Sequence, residues 1–190
     1  MNLPNRLTVA RAGMAGFFVA LFLSGTAWGA WSAWGVFLMA SFTDWLDGWL
    51  ARRSGQITRL GEFLDPLADK VLVAAGMIVC LEVGRAPGWV VIVVIAREYA
   101  VTGLRMALVN AGRRVPAARL GKWKTAAQMV YLALAVLAEA LRRSGWGAPV
   151  LDGGAWIILW VALVLTLVSG IEVFHRNGAV LKEEVSSKRC

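Results

Sequence analysis

The stretch Asp44-Trp45-Leu46-Asp47-Gly48-Trp49-Leu50-Ala51-Arg52 is followed, after eight residues, by Gly61-Glu62-Phe63-Leu64-Asp65-Pro66-Leu67-Ala68-Asp69. As a pattern this is D-x2-D-G-x2-A-R-x8-G-x3-D-x3-D, and hydrophobic segments flank it on both sides. Carboxylates inside membrane segments are costly and mark function. Four of them at helical spacing point to a divalent-metal site.

The rest of the chain supplies the membrane. Hydrophobic residues make up 58% of the 190 positions and the mean hydropathy is +0.63, too apolar for an ordinary soluble domain. Apolar runs near bilayer length recur, and the ten-residue alternation of a transmembrane β-barrel is absent. The expected fold is all-α: a polytopic membrane protein with six transmembrane helices, at about 9–24, 31–51, 65–82, 88–109, 121–141 and 154–174. Residues 1–8, with Pro4 and Arg6, are expected to form a short interfacial helix before the first span. Ala-Trp-Gly-Ala at 27–30 would pass as a leader cleavage site, but five further apolar segments make an anchored first helix the better reading. Residues 1–175 read as one membrane domain and 176–190 as a polar, loosely ordered C-terminal tail.

A net charge of +8 raises the question of nucleic acid. The basic residues cluster in short loops between apolar runs, however, which is membrane topology with attraction to anionic lipid headgroups. No nucleic-acid partner is expected. With both termini inside, Arg6, Arg11, Arg52, Arg53, Arg59, Lys70, Arg113, Arg114, Arg119, Lys122, Lys124, Arg176, Lys182, Lys188 and Arg189 fall on the cytoplasmic side, and only Arg85, Arg142 and Arg143 on the other. Fifteen against three orients the chain. Cys80 and Cys190 read as free thiols.

This topology places all four carboxylates within about 12 Å of the cytoplasmic face, at 1.5 Å of rise per residue. Asp44 and Asp47 share one face of the second span; Asp65 and Asp69 share one face of the third. Close carboxylates repel unless cations lie between them, and hard oxygen ligands suit Mg²⁺ or Mn²⁺. A paired-metal site, with two ions, can clamp a phosphoryl transfer. Gly48 and Ala51 leave room for a bulky group against the helix, Arg52 offers a planar donor fork for phosphate, and Gly61 permits the turn into the third span.

These residues resemble the CDP-alcohol phosphotransferase family. Asp44, Asp47, Gly48, Ala51, Arg52, Gly61, Asp65 and Asp69 stand at its spacing without departure. The resemblance implies a six-helix membrane fold, a homodimer, and an active site open to the cytoplasm. It also implies metal-dependent transfer from a CDP-linked donor to an alcohol, releasing CMP. Over residues 1–130 the match narrows. Met1–Thr8, Thr43–Gly48, Phe63–Lys70, Ile95–Glu98 and Gly121–Met129 look like the bacterial members that transfer the phosphatidyl group of CDP-diacylglycerol to sn-glycerol 3-phosphate, which places the chain in a bacterial cytoplasmic (inner) membrane.

On that resemblance Asp44, Asp47, Asp65 and Asp69 hold the metal, and Asp44, Gly48, Ala51, Arg52 and Asp65 bind the CDP moiety. Asp69 is the general base on the acceptor hydroxyl. A dianionic acceptor needs a cationic pocket, for which Arg97, Arg105, Lys122 and Lys124 are the candidates. Arg97 lies deep in a span and must face a polar cavity or a partner; adjacent Glu98 is a poor partner, because i,i+1 side chains diverge on a helix. Arg105 can snorkel. Lys122 and Lys124 point to different sides, so one faces the site and the other the headgroups.

Lys70 is placed to pair with a carboxylate. Glu139 and Glu172 read as interfacial, Glu62 as a loop charge, His175 as outside the chemistry, and Trp31, Trp34, Trp89, Trp146 and Trp156 as interfacial belts. The rivals are the same chemistry on inositol phosphate, serine or phosphatidylglycerol, and a divalent-metal transporter. The transporter would want carboxylates at mid-bilayer and a route to the far side.

Overall fold

A computed structural model describes the backbone over residues 3–54, 59–110 and 119–187, and side chains over 12–43, 70–109 and 120–177. Six helices account for it: α1 (Leu3–Leu23), α2 (Ala27–Ser54), α3 (Arg59–Glu82), α4 (Gly88–Asn110), α5 (Arg119–Arg143) and α6 (Pro149–Ser187). Among the described residues there is no strand, as expected for an all-α chain.

Three boundaries differ from the sequence reading. The expected interfacial helix is not separate: α1 runs unbroken from Leu3, with Pro4 in the first turn, where its missing N–H is no loss. α3 starts at Arg59, six residues before the expected span. Gly61 therefore lies in its first turn rather than in a connecting turn. The tail is not irregular either, since α6 continues to Ser187; its 39 residues reach about 58 Å at 1.5 Å each, nearly twice a hydrocarbon core.

Among the described residues, two helical segments are long and apolar enough to cross a membrane, Leu120–Arg143 and Pro149–Asn177. In α4 the apolar run is interrupted by Arg97, Glu98 and Arg105, and that interruption builds the site below.

Consecutive helices run up and down. The turns after α1, α3 and α5 each carry a glycine at positive φ: Gly25 (73°), Gly84 (71°) and Gly145 (81°). Two close as Schellman motifs. The Arg85 N–H donates to Cys80 O (2.7 Å) and Gly84 N–H to Leu81 O (3.0 Å); Trp146 N–H donates to Leu141 O (3.0 Å) and Gly145 N–H to Arg142 O (3.1 Å). Only glycine takes this left-handed position without strain.

The three turns meet at one end. Arg143 Nη1 donates to Phe22 O (2.7 Å), with its guanidinium 4.5 Å from the Phe22 ring, and Trp31 Nε1 donates to Ser144 Oγ (3.1 Å).

The core between the helices is apolar: Phe18, Phe22, Phe37, Leu72, Met77, Tyr131 and Leu132 are almost fully buried. α5 packs on α6, α2 and α3, while α4 packs on α3 and α6. At Gly76 an added Cβ would lie 2.9 Å from Leu132 Cδ1, so a larger residue there would make the Leu132 side chain shift at the α3–α5 contact. Trp34 is not a belt residue: half-buried, it donates from Nε1 to Ala133 O across to α5 (3.1 Å). Trp31, Trp89, Trp146 and Trp156 are exposed, as a belt requires.

Candidate active site

The four aspartates lie on α2 and α3. Their side chains, and those of Gly48, Ala51, Arg52, Gly61 and Glu62, fall outside the described residues, so the expected metal and CDP ligands are placed only by helix. Up-and-down packing puts the Asp-bearing ends of α2 and α3 opposite the end where the three glycine turns meet.

One turn further along, α4 contributes the centre of a polar cluster. Glu98 is 5% exposed. Its Oε2 accepts from Lys70 Nζ of α3 (2.6 Å), and its Oε1 from Lys124 Nζ of α5 and from Arg97 Nη1 (3.1 Å). Neighbouring side chains diverge on a helix, which argues against an Arg97–Glu98 pair. The pair forms because Arg is long and its fork reaches back around the helix, and because α6 anchors it from the far side. Arg97 Nε donates to Thr166 O (3.0 Å) and Nη2 to Ser169 Oγ (2.7 Å). Gly170 makes room, since a Cβ there would stand 3.2 Å from Arg97 Cγ and Nε. Buried Gln128 donates to Thr166 Oγ1 (3.2 Å), tying α5 to the same stretch of α6.

The acceptor candidates separate. Lys124 is buried on Glu98 and Lys122 is exposed, so the two do point to different sides and only Lys124 joins the cluster. Arg105 is half-buried, two turns beyond Glu98, and its Nε has no hydrogen-bond partner among the described residues. Lys70 pairs with a carboxylate as expected. Glu98 is the residue the sequence reading passed over. The available signal was a charge triad, Lys70, Glu98 and Lys124, at positions on three different apolar helices.

Among the described residues, Lys70, Arg97 and Lys124 carry +3 against the −1 of Glu98 in a largely buried cluster. Buried charges need partners. A cluster in which the described cations outnumber the described carboxylates is suited to a dianion such as a phosphate monoester, bound by charge-assisted hydrogen bonds.

A second cluster sits at the other end. Glu139 lies near its helix end but is not a solvated charge: it is 1% exposed and accepts from Arg142 (2.8 Å), Arg143 (2.8 Å) and Arg85 (3.2 Å). Arg85 also pairs with Asp152. Burial disfavours the Arg85 charge, but hydrogen bonds and attraction from Asp152 and Glu139 outweigh this and raise its pKa. Glu172, half-buried, pairs with Arg176 one turn on (2.9 Å). His175 is exposed. Among the described residues, no group of three His, Cys, Asp or Glu side chains is placed to hold a metal.

Comparison with known proteins converges on one group. The family described as CDP-alcohol phosphatidyltransferase matches residues 1–168. A Bacillus subtilis protein named CDP-diacylglycerol–glycerol-3-phosphate 3-phosphatidyltransferase is 41% identical, over 95% of this chain and 97% of its own length. Proteins of the same name from Escherichia coli K12 and Rickettsia typhi are 39% and 36% identical, over 96% and 91% of this chain and 98% and 95% of theirs.

Proposed function

We infer that this chain, which belongs to the CDP-alcohol phosphatidyltransferase family, moves the phosphatidyl group of CDP-diacylglycerol to sn-glycerol 3-phosphate, giving phosphatidylglycerophosphate and CMP. The names of its relatives supply the substrate pair. The observation that favours a phosphate-bearing acceptor is the set of three cations gathered on buried Glu98 among the described residues, which suits a phosphate dianion better than a neutral alcohol, and the relatives' names narrow that acceptor to glycerol 3-phosphate.

In this reading Arg97 and Lys124 hold the acceptor phosphate from α4 and α5, with Lys70 beside them and Arg105 further along α4. Asp69 immediately precedes Lys70 in α3, so the base and the acceptor cluster share one helical turn. Asp69 takes the proton of the acceptor hydroxyl. The hydroxyl oxygen attacks the phosphorus that carries diacylglycerol, one P–O bond forms, the P–O bond to CMP breaks, and CMP leaves with the electron pair. Direct transfer needs no covalent enzyme intermediate.

The carboxylates Asp44, Asp47, Asp65 and Asp69 are a hard-oxygen set suited to Mg²⁺ or Mn²⁺. Two such ions would neutralise the donor diphosphate. Gly48, Ala51 and Arg52 complete the CDP side.

The helices are read as six spans in a bacterial cytoplasmic membrane, with both termini and the aspartates on the cytoplasmic side. The support is the fifteen-to-three distribution of Lys and Arg. The protein is read as a homodimer on the family resemblance.

The test is CMP release by the detergent-solubilised protein with CDP-diacylglycerol, Mg²⁺ and glycerol 3-phosphate. Acceptor-dependent CMP is expected, with loss of at least a hundredfold in Asp69→Asn and abolition by a chelator, general-base removal alone being worth about 10²–10⁴. CMP appearing only with a different alcohol would overturn the acceptor; no CMP with any alcohol, from folded protein, would overturn the reaction.

A further inference from the structure

Glu98 is no ligand for the acceptor's phosphate group, because a carboxylate repels phosphate, yet it sits at the centre of the cationic cluster. We propose that Glu98 is a positioning residue: it gathers Lys70, Arg97 and Lys124 from α3, α4 and α5 into one phosphate-binding constellation and thereby sets specificity for an anionic acceptor. The proposal rests on the acceptor reading above.

Three features carry it. First, the geometry is divergent. Oε2 takes Lys70 (2.6 Å) while Oε1 takes Lys124 and Arg97, so a single carboxylate occupies one donor of each cation. Counting Arg97's bonds to Thr166 O and Ser169 Oγ as well, two of its five N–H donors, and two of three on each lysine, remain uncommitted among the described contacts. Those donors are what a phosphate would meet.

Second, lysine is a point charge on a flexible stem, and three adjacent cations repel. Without a central anion they would splay apart, and the binding site would have to be assembled at each acceptor encounter. Preorganisation lowers that cost.

Third, the opposite wall is built to fit. Gly170 clears the path of Arg97 across α6, and Gln128 holds Thr166 Oγ1. Arg97 is thus clamped between Glu98 and α6.

The decisive measurement is the pair of KM values for Glu98→Gln, which keeps the shape and removes the charge. A neutral amide presents N–H groups to one lysine, so the constellation opens. The KM for glycerol 3-phosphate should rise about tenfold or more while that for CDP-diacylglycerol moves less than twofold.

A double-mutant cycle makes the positioning role explicit. In a Lys124→Met background, Glu98→Gln should add much less than it does alone, because Glu98 acts through the cations. Glu98→Asp, which keeps the charge one methylene short of spanning all three partners, should fall between parent and Glu98→Gln, and it serves if the latter does not fold.

Equal rises in both KM values, or loss of thermal stability with unchanged KM values, would make Glu98 structural and overturn the proposal. So would full additivity in the cycle. A fall in the acceptor KM would show that Glu98 competes with phosphate rather than organising its ligands, and would also overturn it. If the parent enzyme releases no CMP with glycerol 3-phosphate, the acceptor reading itself has failed, which is a separate result.

Discussion

Glu98 and Glu139 are both buried at 5% or less, and each carboxylate meets three cations. They differ in where the cations come from and in how open they are to solvent. Two of Glu139's partners lie one turn along its own helix, and the third, Arg85, comes from the α3–α4 turn. Asp152 adds a second carboxylate, and the Arg142 side chain is 62% exposed. Net charge there is +1, and water takes it up. Arg143 meanwhile reaches Phe22 O and lies over the Phe22 ring, so the cluster fastens three turns together. Glu98 collects its cations from three helices and, among the described residues, is their one shared carboxylate, with the Lys124 side chain 4% exposed. The cluster around Glu139 opens to solvent and joins turns, whereas the one around Glu98 is buried and joins helices, the setting in which intramembrane charge is read as functional.

The comparison can be broken most directly at Arg97. Arg97→Met removes the one cation clamped on both sides, and kcat/KM for glycerol 3-phosphate should fall roughly 100-fold, about 3 kcal/mol, the scale of a desolvated charge contact. Steady-state kinetics at fixed CDP-diacylglycerol measures this, and thermal stability should change little. If stability fell instead while kcat/KM held, the two clusters would be equivalent.

The converse applies to Glu139→Leu. Three arginines lose their carboxylate, and stability should drop by about 2–3 kcal/mol, below the range for a fully buried pair because Arg142 is solvated. Thermal unfolding in detergent would show the loss, and the acceptor KM of the protein that remains folded should match the parent. A raised acceptor KM would mean that the far cluster reaches the site.

The smallest effect sharpens the contrast within one helix. Lys124→Met should raise the acceptor KM about tenfold, the equivalent of 1.4 kcal/mol. Lys122→Met, at an exposed position two residues away, should leave it within twofold. Equal effects from the two would deny that burial on Glu98 is what selects Lys124.

Much of this was legible in the sequence because it is local. The apolar runs follow from one-dimensional pattern, since a helix must satisfy its own backbone. The D-x2-D-G-x2-A-R-x8-G-x3-D-x3-D spacing encodes its chemistry in helical periodicity. Even the divergence of Lys122 and Lys124 follows from the 3.6-residue turn.

What was misjudged depended on side-chain reach and on neighbours from distant segments. The i,i+1 argument against Arg97–Glu98 fails because a guanidinium is long enough to turn back once Thr166 and Ser169, about seventy residues away, hold its other face. Glu139 resembled an interfacial charge because its helix ends nearby, but Arg85 folds over it from the α3–α4 turn. Trp34 resembled a belt residue until Ala133 O supplied an acceptor inside the bundle.

The sequence by itself determined that the chain is helical and apolar, that its motif aspartates fall on two neighbouring segments, and which family it belongs to. Those properties are set by composition and by spacing along single helices. Only the tertiary structure decided which cations share a carboxylate, because Lys70, Glu98 and Lys124 are separated by more than twenty residues each and meet solely through the packing of α3, α4 and α5. Charge placed in a low-dielectric interior is governed by its nearest neighbours in space, and those neighbours exist only once the helices are packed.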